Sequence, residues 1–354
     1  QLNAKLAFLG APTDSGYPLT LDGTVANVEK HFYRTVDTKE AIGATISIDA
    51  DSVSGIEEIW ADRIQVDLIV RNVGAPVTVG VVQGDDDNDK GDPYNYVLDY
   101  ADDALDDADF TQSVALDNAN IQLDIGFENN SPPNDVITGL AFNLTGENNV
   151  DLTANSGGVL TAADLTDVTT SGSGSIDLDM SDNAPADHTI TLGGGDDTLR
   201  FDAANLNDND DIDLGGGTNT IVVEGIGDDT ELEDLNFDGS TTGVDEVVVS
   251  NDGNDVTLNG DATLDLTGTA GSEVTFAEGD TLNLQGNTLD FNDAANDFTL
   301  NFEDKVVGGN NGMIDLRAAE TATINVNGGD IGDLTNLGTG ADPIPTGVDV
   351  EGAN

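Results

Sequence analysis

Pairs of apolar residues separated by one other residue recur through the C-terminal part of the chain, and they constrain the fold more than any other feature. Stretches rich in Gly, Asp, Asn and Thr separate the pairs, mostly at intervals of 7 to 12 residues. A period of two is typical of a strand with one buried face. Many short strands at even spacing predict a β-roll, a β-solenoid or a sandwich with short strands. The pairs are Ile176/Leu178, Ile190/Leu192, Leu199/Phe201, Ile212/Leu214, Ile221/Val223, Val247/Val249, Val256/Leu258, Leu264/Leu266, Val274/Phe276, Leu282/Leu284, Leu289/Phe291, Leu300/Phe302 and Ile324/Val326.

Longer alternating runs precede residue 148, and the turn-forming residues between them favour a β-sandwich. One short helix is predicted over 25–34, because Val25, Val28 and Phe32 share a helical face. The fold class is therefore all-β, with an N-terminal β-sandwich followed by a short-strand domain like a β-solenoid or β-roll. The predicted strands of the sandwich are 45–48, 64–71, 76–83, 95–100, 121–127 and 136–144.

The composition of the chain changes near residue 150, which predicts two domains. Seven of the 10 basic residues lie in the first 90 positions, and the single Trp and all five Tyr lie in the first 100. Aromatic residues and Arg are favoured at interfaces. We therefore predict a contact or assembly domain over 1–147 and an acidic domain rich in Gly and Asp over 148–354.

Acidic residues dominate the chain, with 69 Asp and Glu against 10 Lys and Arg and a net charge of −59. Nucleic-acid binding is excluded, because it requires clustered Lys and Arg to neutralise phosphates. Docking on anionic lipid is disfavoured for the same reason. Membrane insertion is not expected, since no run approaches the ~18 apolar residues of a membrane helix.

Self-repulsion on this scale destabilises a compact state unless salt or bound divalent cations screen it. Asp outnumbers Glu by 54 to 15, and many Asp lie beside one of the 42 Gly. A short carboxylate in a turn is well placed to reach a cation. The composition therefore favours Ca²⁺, while a saline habitat remains the alternative.

The segment 193–199 reads Gly-Gly-Gly-Asp-Asp-Thr-Leu and is the strongest candidate site. Successive glycines permit a tight turn that exposes carbonyl oxygens, and the Asp residues add carboxylates. Calcium binds about six to eight such oxygens. The alternative is an ordinary tight turn in an acidic β protein. The predicted ligands are Gly193, Gly195, Asp196 and Asp197.

A related segment, Gly-Gly-Gly-Thr-Asn-Thr-Ile, follows 22 residues later at 215–221. Segment 193–199 resembles the calcium-binding nonapeptide of RTX proteins, G-G-x-G-x-D-x-U-x. Leu192 stands where the first Gly of that motif belongs, and Asn219 replaces the Asp in the related segment. The matching positions are Gly193, Gly195, Asp197 and Leu199.

Together with 245–249 and 279–284, these segments make residues 150–330 similar to RTX-type bacterial surface-layer proteins. The resemblance implies a secreted, calcium-dependent lattice or surface protein. The spacing of 22 residues is not a multiple of nine, so a long calcium-filled β-roll is not expected.

A second candidate calcium site lies in the acidic run 85–92. Asp85, Asp87 and Asp89 have the spacing of ligands in a calcium loop. Tyr96 stands where the Glu of an EF-hand would be, so this is not an EF-hand. A solvated acidic hairpin tip is the alternative, and the run 102–109 is interpreted as a solvated face.

Residues that could carry catalysis are scarce, and we predict that the protein is not an enzyme. There is no Cys, so no disulfide or thiolate site exists. His188 is interpreted as a solvated loop residue, and no nucleophile elbow, Walker loop or zinc-protease motif occurs. Two glycosylation sequons, at Asn129 and Asn143, are attributed to chance.

These observations predict an exported structural protein that polymerises with copies of itself in an extracellular layer or filament at the cell surface. The start at Gln1 is interpreted as removal of a leader, with trimming as the alternative. The competing function is a calcium-dependent adhesin or carbohydrate-binding protein that recognises cell-surface glycans. We expect Arg34, Arg63 and Arg71 to meet the acidic domain of a neighbouring copy, unless they balance acids within their own domain.

Overall fold

In the computed structural model, the regular secondary structure of the described residues is β-strand apart from one 3-10 turn, Ala203–Asn205. The chain divides into two compact units, the N-terminal unit Gln1–Ala184 and the C-terminal unit Pro185–Asn354. The residues that the structure describes are 2–8, 17–20, 25–26, 28–37, 45–51, 53–83, 94–101, 104–105, 110–127, 137–152, 165–207, 209–226, 241–251, 255–257, 262–266, 273–277, 281–283, 288–293, 297–302, 305–307, 313–315, 321–326, 336–337 and 348–351.

Strands of the N-terminal unit alternate between two parallel sheets. One sheet has the order β1-β4-β7-β9-β11-β13-β15, the other has β2-β5-β8-β10-β12-β14-β16, and β3 pairs with β6. The strands are β1 (Leu2–Phe8), β2 (Tyr17–Thr20), β3 (Val25–Ala26), β4 (Lys30–Asp37), β5 (Thr45–Asp49), β6 (Val53–Ser54), β7 (Glu58–Asp62), β8 (Asp67–Val73), β9 (Thr78–Val82), β10 (Asn95–Tyr100), β11 (Phe110–Asp117), β12 (Asn120–Phe127), β13 (Ile137–Thr145), β14 (Glu147–Asp151), β15 (Asp167–Gly172) and β16 (Ser175–Asp179).

The C-terminal unit is also built from parallel ladders. Their orders are β17-β19-β21, β18-β20-β22-β25-β28-β31-β33, β23-β26-β29 and β24-β27-β30-β32. The strands are β17 (Thr189–Thr191), β18 (Thr198–Asp202), β19 (Asp211–Asp213), β20 (Thr220–Glu224), β21 (Thr241–Thr242), β22 (Glu246–Val249), β23 (Asp255–Thr257), β24 (Ala262–Leu266), β25 (Glu273–Phe276), β26 (Thr281–Asn283), β27 (Thr288–Asp293), β28 (Asp297–Phe302), β29 (Lys305–Val307), β30 (Met313–Asp315), β31 (Thr321–Val326), β32 (Asn336–Leu337) and β33 (Val348–Glu351).

In both units a strand pairs with the strand that occupies the same place one circuit later, and we call each circuit a coil. This connectivity is compatible with the predicted β-solenoid or β-roll. The predicted N-terminal β-sandwich is not what the structure shows, because a sandwich is built from antiparallel hairpins and Greek keys. In the N-terminal unit the described ladders are parallel instead, as in the pairing of β10 with β8 and β12.

Alternate residues of each strand point into the core. Leu68, Val70, Leu98 and Ile125 have 0% exposure and stack from coil to coil. Each fully buried aliphatic side chain contributes roughly 1.5–3 kcal/mol. Stacked rows of Val, Ile and Leu therefore hold the coils together.

The predicted helix over 25–34 is wrong, since the structure has strands Val25–Ala26 and Lys30–Asp37 there. His31, Tyr33 and Thr35 point inward at every second position and are at most 2% exposed. β4 has a parallel strand on each side. Burial of every second residue fits a strand in such a sheet, whereas a helix would bury residues three or four positions apart.

Polar side chains inside the N-terminal unit bond to the turns of the coils. The Tyr100 hydroxyl donates to Oε1 of Gln112 (2.7 Å), whose Nε2 donates to the carbonyl of Val77 (2.8 Å). Burial raises the pKa of Tyr100 to about 12. Tyr33 and Tyr96 are also buried, so these three tyrosines are unavailable for the intermolecular contact that their position in the chain suggested.

The predicted domain boundary between residues 147 and 148 falls within β14, in the N-terminal unit. Within the described ranges, the sole helix is a single 3-10 turn, and nothing there has the length and apolarity to cross a membrane as a helix.

Candidate functional site

The turn that holds the predicted calcium ligands forms one corner of the C-terminal unit. Residues 193–197 link β17 to β18, residues 215–219 link β19 to β20, and residues 243–245 link β21 to β22. The register of β18, β20 and β22 stacks these three turns on one another. We call the three segments together the glycine corner.

Side chains in the glycine corner bond to the backbone of the preceding coil. Oδ1 of Asn219 accepts from the amide of Asp197 (2.9 Å), and Oδ2 of Asp245 accepts from the amide of Asn219 (2.8 Å). Nδ2 of Asn219 donates to the carbonyls of Gly243 (2.9 Å) and Leu214 (3.2 Å). Asn219 is fully buried and therefore ties three successive coils together.

Asn148 plays the same part in the N-terminal unit. Its Oδ1 accepts from the amide of Ala119 one coil earlier (3.0 Å), and its Nδ2 donates to the carbonyl of Ser175 one coil later (3.0 Å). We call this hydrogen bond, in which a turn side chain accepts the backbone amide of the preceding coil, the corner bond. It occurs in both units, and the sequence analysis did not identify it.

Glycine is required in the glycine corner by contact with the preceding coil. Gly215 and Gly217 have φ of 73° and 126°, in the left-handed region that favours glycine. A Cβ on either residue would lie 1.9 Å from a carbonyl oxygen, that of Gly193 or Gly195 respectively. The glycine pattern thus has a structural cause in the close stacking of coils.

Several oxygens predicted to bind calcium already accept hydrogen bonds from the next coil. Oδ1 of Asp196 accepts from the amide of Thr218 (2.9 Å), and the carbonyl of Gly193 accepts from the amide of Gly216 (3.0 Å). Asp196 is exposed, whereas Asp197 is 1% exposed. Among the described residues, no three His, Asp or Glu side chains converge as a metal cluster. Calcium binding here stays a prediction.

Other predicted sites lie outside the described residues. Asp85, Asp87 and Asp89 fall in the undescribed segment 84–93, most of the run 102–109 is likewise undescribed, and so is Asn129. Asn143 is described and is exposed on β13.

His188 is not the solvated loop residue that the sequence suggested, because it is 1% exposed. Its Nδ1 lies 3.2 Å from Oδ1 of Asp210, and its amide donates to the same oxygen at 2.8 Å. The ring also packs against Phe201, with centroids 5.7 Å apart. Asp210 lies on the next coil, so the pair joins two coils inside the protein.

Carboxylates face each other across several ladders, and we call two residues in register on neighbouring strands a rung. Glu246 faces Glu273 on the outer side of β22 and β25. One oxygen of Glu246 accepts from the Thr275 hydroxyl (2.6 Å), and Nδ2 of Asn301 donates to Glu273. Two further carboxylate rungs with described side chains are Asp151/Asp179 and Asp202/Glu224.

The early coils of the N-terminal unit instead pair cations with carboxylates. Lys30 faces Glu58, with Nζ 2.6 Å from Oε1. Burial alone would raise the pKa of Glu58, but hydrogen bonds from Lys30 and Trp60 and the Lys30 charge lower it. The other ion pairs are Arg63–Asp62 (2.7 Å) and Arg71–Asp99 (3.6 Å).

Asp124 is a covered carboxyl on the outer side of β12, with 7% exposure. Burial, and after it the negative charge of Asp99, raise the pKa of Asp124 to about 7. A titration near neutral pH is therefore built into the N-terminal unit. The alternation of β12 alone would have placed this residue in solvent.

No protein-family model, no curated protein and no solved structure matches this chain.

Proposed function

We propose that this protein is an exported structural protein that assembles with copies of itself into a layer or filament at the cell surface, and that Ca²⁺ stabilises it. The observation that carries the proposal is the set of carboxylate rungs on parallel ladders. The resemblance of segment 193–199 to the calcium-binding nonapeptide of RTX proteins, which rests on the sequence motif alone, is a second ground for the proposal.

The physical argument starts from the rung Glu246/Glu273. Like charges directly opposite on neighbouring strands destabilise a sheet, by roughly 0.2–1 kcal/mol for each pair. A divalent cation held by both carboxylates replaces repulsion with attraction, and carboxylate oxygen is the ligand that calcium prefers. Such rungs recur on the outer faces, so calcium binding at several of them would stabilise the coils cumulatively.

Assembly follows from the position of these carboxylates. A calcium ion on an outer face takes about six to eight oxygens, more than two carboxylates supply. A carboxylate of a second copy can provide the remainder. Regularly spaced cation bridges between rigid parallel ladders would produce an ordered array.

Electron microscopy of the purified full chain, in calcium and in chelator at equal ionic strength, tests the assembly. We expect ordered sheets or fibres in calcium and their loss in chelator. A magnesium sample is the control, because Mg²⁺ keeps its own water and prefers a tighter geometry. Monomers under every condition would contradict the proposal.

Asp197→Asn tests the glycine corner as a calcium site. Asparagine already occupies the equivalent position of the next coil, where Asn219 is fully buried, so the variant should remain folded in chelator. If Asp197 is a ligand, calorimetry should show weaker calcium binding than for Asp211→Asn, a matched change at an exposed residue of β19. Equal losses in both variants would assign the glycine corner to structure alone.

A further inference from the structure

The outer side of β4 and β7 carries a group of residues that the proposed function does not yet use. Phe32 on β4 faces Trp60 on β7, and their rings stack with centroids 5.5 Å apart and planes 13° apart. Arg34 follows Phe32 on the same side of β4. All three are half-buried, and we call them the Arg34 patch.

The aromatic part of this patch is held in place. Nε1 of Trp60 donates to Oε2 of Glu58 (2.9 Å), which itself pairs with Lys30. The indole also covers Gly80 on β9, where a Cβ would lie 2.1 Å from a ring carbon. The exposed part of the stacked rings is therefore preorganised apolar surface.

Arg34 differs from the other cations of the early coils. Lys30, Arg63 and Arg71 each form an ion pair. Across the described part of the chain, no ion pair includes Arg34, and its Nε is buried without a hydrogen-bond acceptor. The ladder between β4 and β7 ends at the pair Tyr33/Ala61, and Asp62 is the next residue of β7. Both oxygens of Asp62 already accept from Arg63, at 2.7 and 3.1 Å.

We infer that the Arg34 patch binds a carboxylate rung on the C-terminal unit of a second copy of this chain. The inference rests on the proposed function and names the contact through which the copies meet. A chain with 69 acidic and 10 basic residues supplies carboxylates in excess. The rung Asp202/Glu224, apart from the rung Glu246/Glu273 with which the calcium argument begins, presents two of them side by side.

The chemistry of the patch suits this partner. A guanidinium binds carboxylate through parallel hydrogen bonds from its planar fork of donors. Because the Nε of Arg34 is buried, a carboxylate of a second copy would meet the terminal nitrogens of this half-buried side chain. Trp and Arg dominate the energetics of protein interfaces. Contact between unlike surfaces is heterologous, and it propagates into an open polymer unless the rotation closes a ring.

The test compares Arg34→Gln with Arg71→Gln in the full chain. Both changes remove one arginine charge, but Arg71 already has the partner Asp99. Sedimentation in calcium should show an apparent association constant lowered about tenfold or more for Arg34→Gln, as at an interface hot spot. Arg71→Gln should stay within about twofold of the parent, as for a rim charge.

Arg34→Lys separates charge from geometry. Lysine keeps the charge but loses the forked donor, so association should be intermediate and the dependence on salt should persist. Circular dichroism checks that each variant is folded. Assembly of folded Arg34→Gln at the parent's affinity overturns this contact and leaves calcium-bridged assembly intact.

A parent chain that stays monomeric overturns both the contact and the proposed function. Glycan binding that depends on Trp60, with self-association unchanged in Arg34→Gln, would assign the patch to a saccharide and overturn the inference as well.

Discussion

The early coils, 28–101, and the later coils, 198–277, handle charge across their ladders in different ways. In the early coils Lys30 faces Glu58 at 2.6 Å, and Arg71 pairs with Asp99 on the next strand of its sheet. In the later coils Glu246 faces Glu273 at the same kind of position. The backbone pairing is parallel in both. The difference teaches that the early ladder carries its own positive charges, whereas Glu246 and Glu273 are met by neutral donors, the Thr275 hydroxyl and the Asn301 amide.

The largest expected effect concerns hydrogen bonds between coils that occur in both units, and these bonds do not depend on the difference in charge between the early and later coils. Asn148→Ala and Asn219→Ala each leave a buried amide and buried carbonyls without partners, at about 1–3 kcal/mol for each group. We expect each variant to lose about 3–5 kcal/mol, near the upper end for point mutants. The loss should be the same in calcium and in chelator.

Urea unfolding followed by circular dichroism measures this loss. Asn219→Asp is the companion variant: it keeps the acceptor but replaces the Nδ2 donor with a buried carboxylate oxygen, so it should also lose stability, and more so as the pH rises. A loss for Asn219→Ala that calcium abolishes would mean that the corner bond is secondary to metal binding.

Calcium removal should separate the two regions. At about 100 times its dissociation constant a ligand adds about 2.7 kcal/mol, so chelation should speed local opening up to about a hundredfold. Hydrogen exchange should accelerate in Glu246–Val249 and Glu273–Phe276 and change little in Glu58–Asp62 and Asp67–Val73. Uniform acceleration across all four strands would remove the distinction between early and later coils.

The pH dependence should come from the N-terminal unit, through Asp124, whose neighbour Asp99 lies in the early coils. Its pKa is raised from 3.8 to about 7 in the folded protein, so the folded state binds the extra proton. The stabilisation is complete below about pH 4 and is lost as the pH rises through about 7. Asp124→Asn should remove this slope and stabilise the protein at pH 8 by about 1–3 kcal/mol.

Melting temperatures of Asp124→Asn and the parent between pH 4 and 8 test the assignment. Asp99→Asn is the companion variant: it removes the neighbouring charge and should lower the midpoint without abolishing the slope. Parallel curves for parent and Asp124→Asn would place the titration elsewhere.

The smallest expected effect on stability comes from two substitutions that exchange an ion pair and a carboxylate rung. Glu273→Lys places a cation opposite Glu246, and Lys30→Glu creates a carboxylate rung with Glu58. Exposed pairs contribute about 0.2–1 kcal/mol. In chelator the first variant should gain about that much and the second should lose it, with both effects shrinking at high salt. Melting temperatures that shift in the same direction for both variants would show that the charge of the rung does not determine the change in stability.

Sequence patterns located the strands better than their pairing. The predicted runs 45–48 and 95–100 became Thr45–Asp49 and Asn95–Tyr100. A period of two reports which side of a strand is buried, and it is the same for antiparallel and parallel partners. Leu98 pairs with Ile125 on the next coil. The alternation of apolar and polar residues within a strand does not indicate how far along the chain its partner strand lies.

The sequence did contain one indication of which residues lie next to each other in the glycine corner. The segments 193–199 and 215–221 repeat after 22 residues, and 22 residues also separate His188 from Asp210 and Asp197 from Asn219. Treating the repeat as one coil would have placed both pairs side by side. The sequence contained no comparable indication that Asp124 is buried. Burial of a residue on the outer side of a strand depends on parts of the chain that are distant in sequence.

The corner bond has a direction, because the side chain of one coil accepts the amide of the coil before it. Asn148 does this for Ala119, Asn219 for Asp197, and Asp245 for Asn219. The newest coil of a growing stack therefore keeps an unsatisfied amide until its successor arrives. If the chain folds from its N-terminus during synthesis, the turn amide of each coil would gain its hydrogen-bond acceptor only when the next coil forms. Each new coil would therefore stabilise the coil before it.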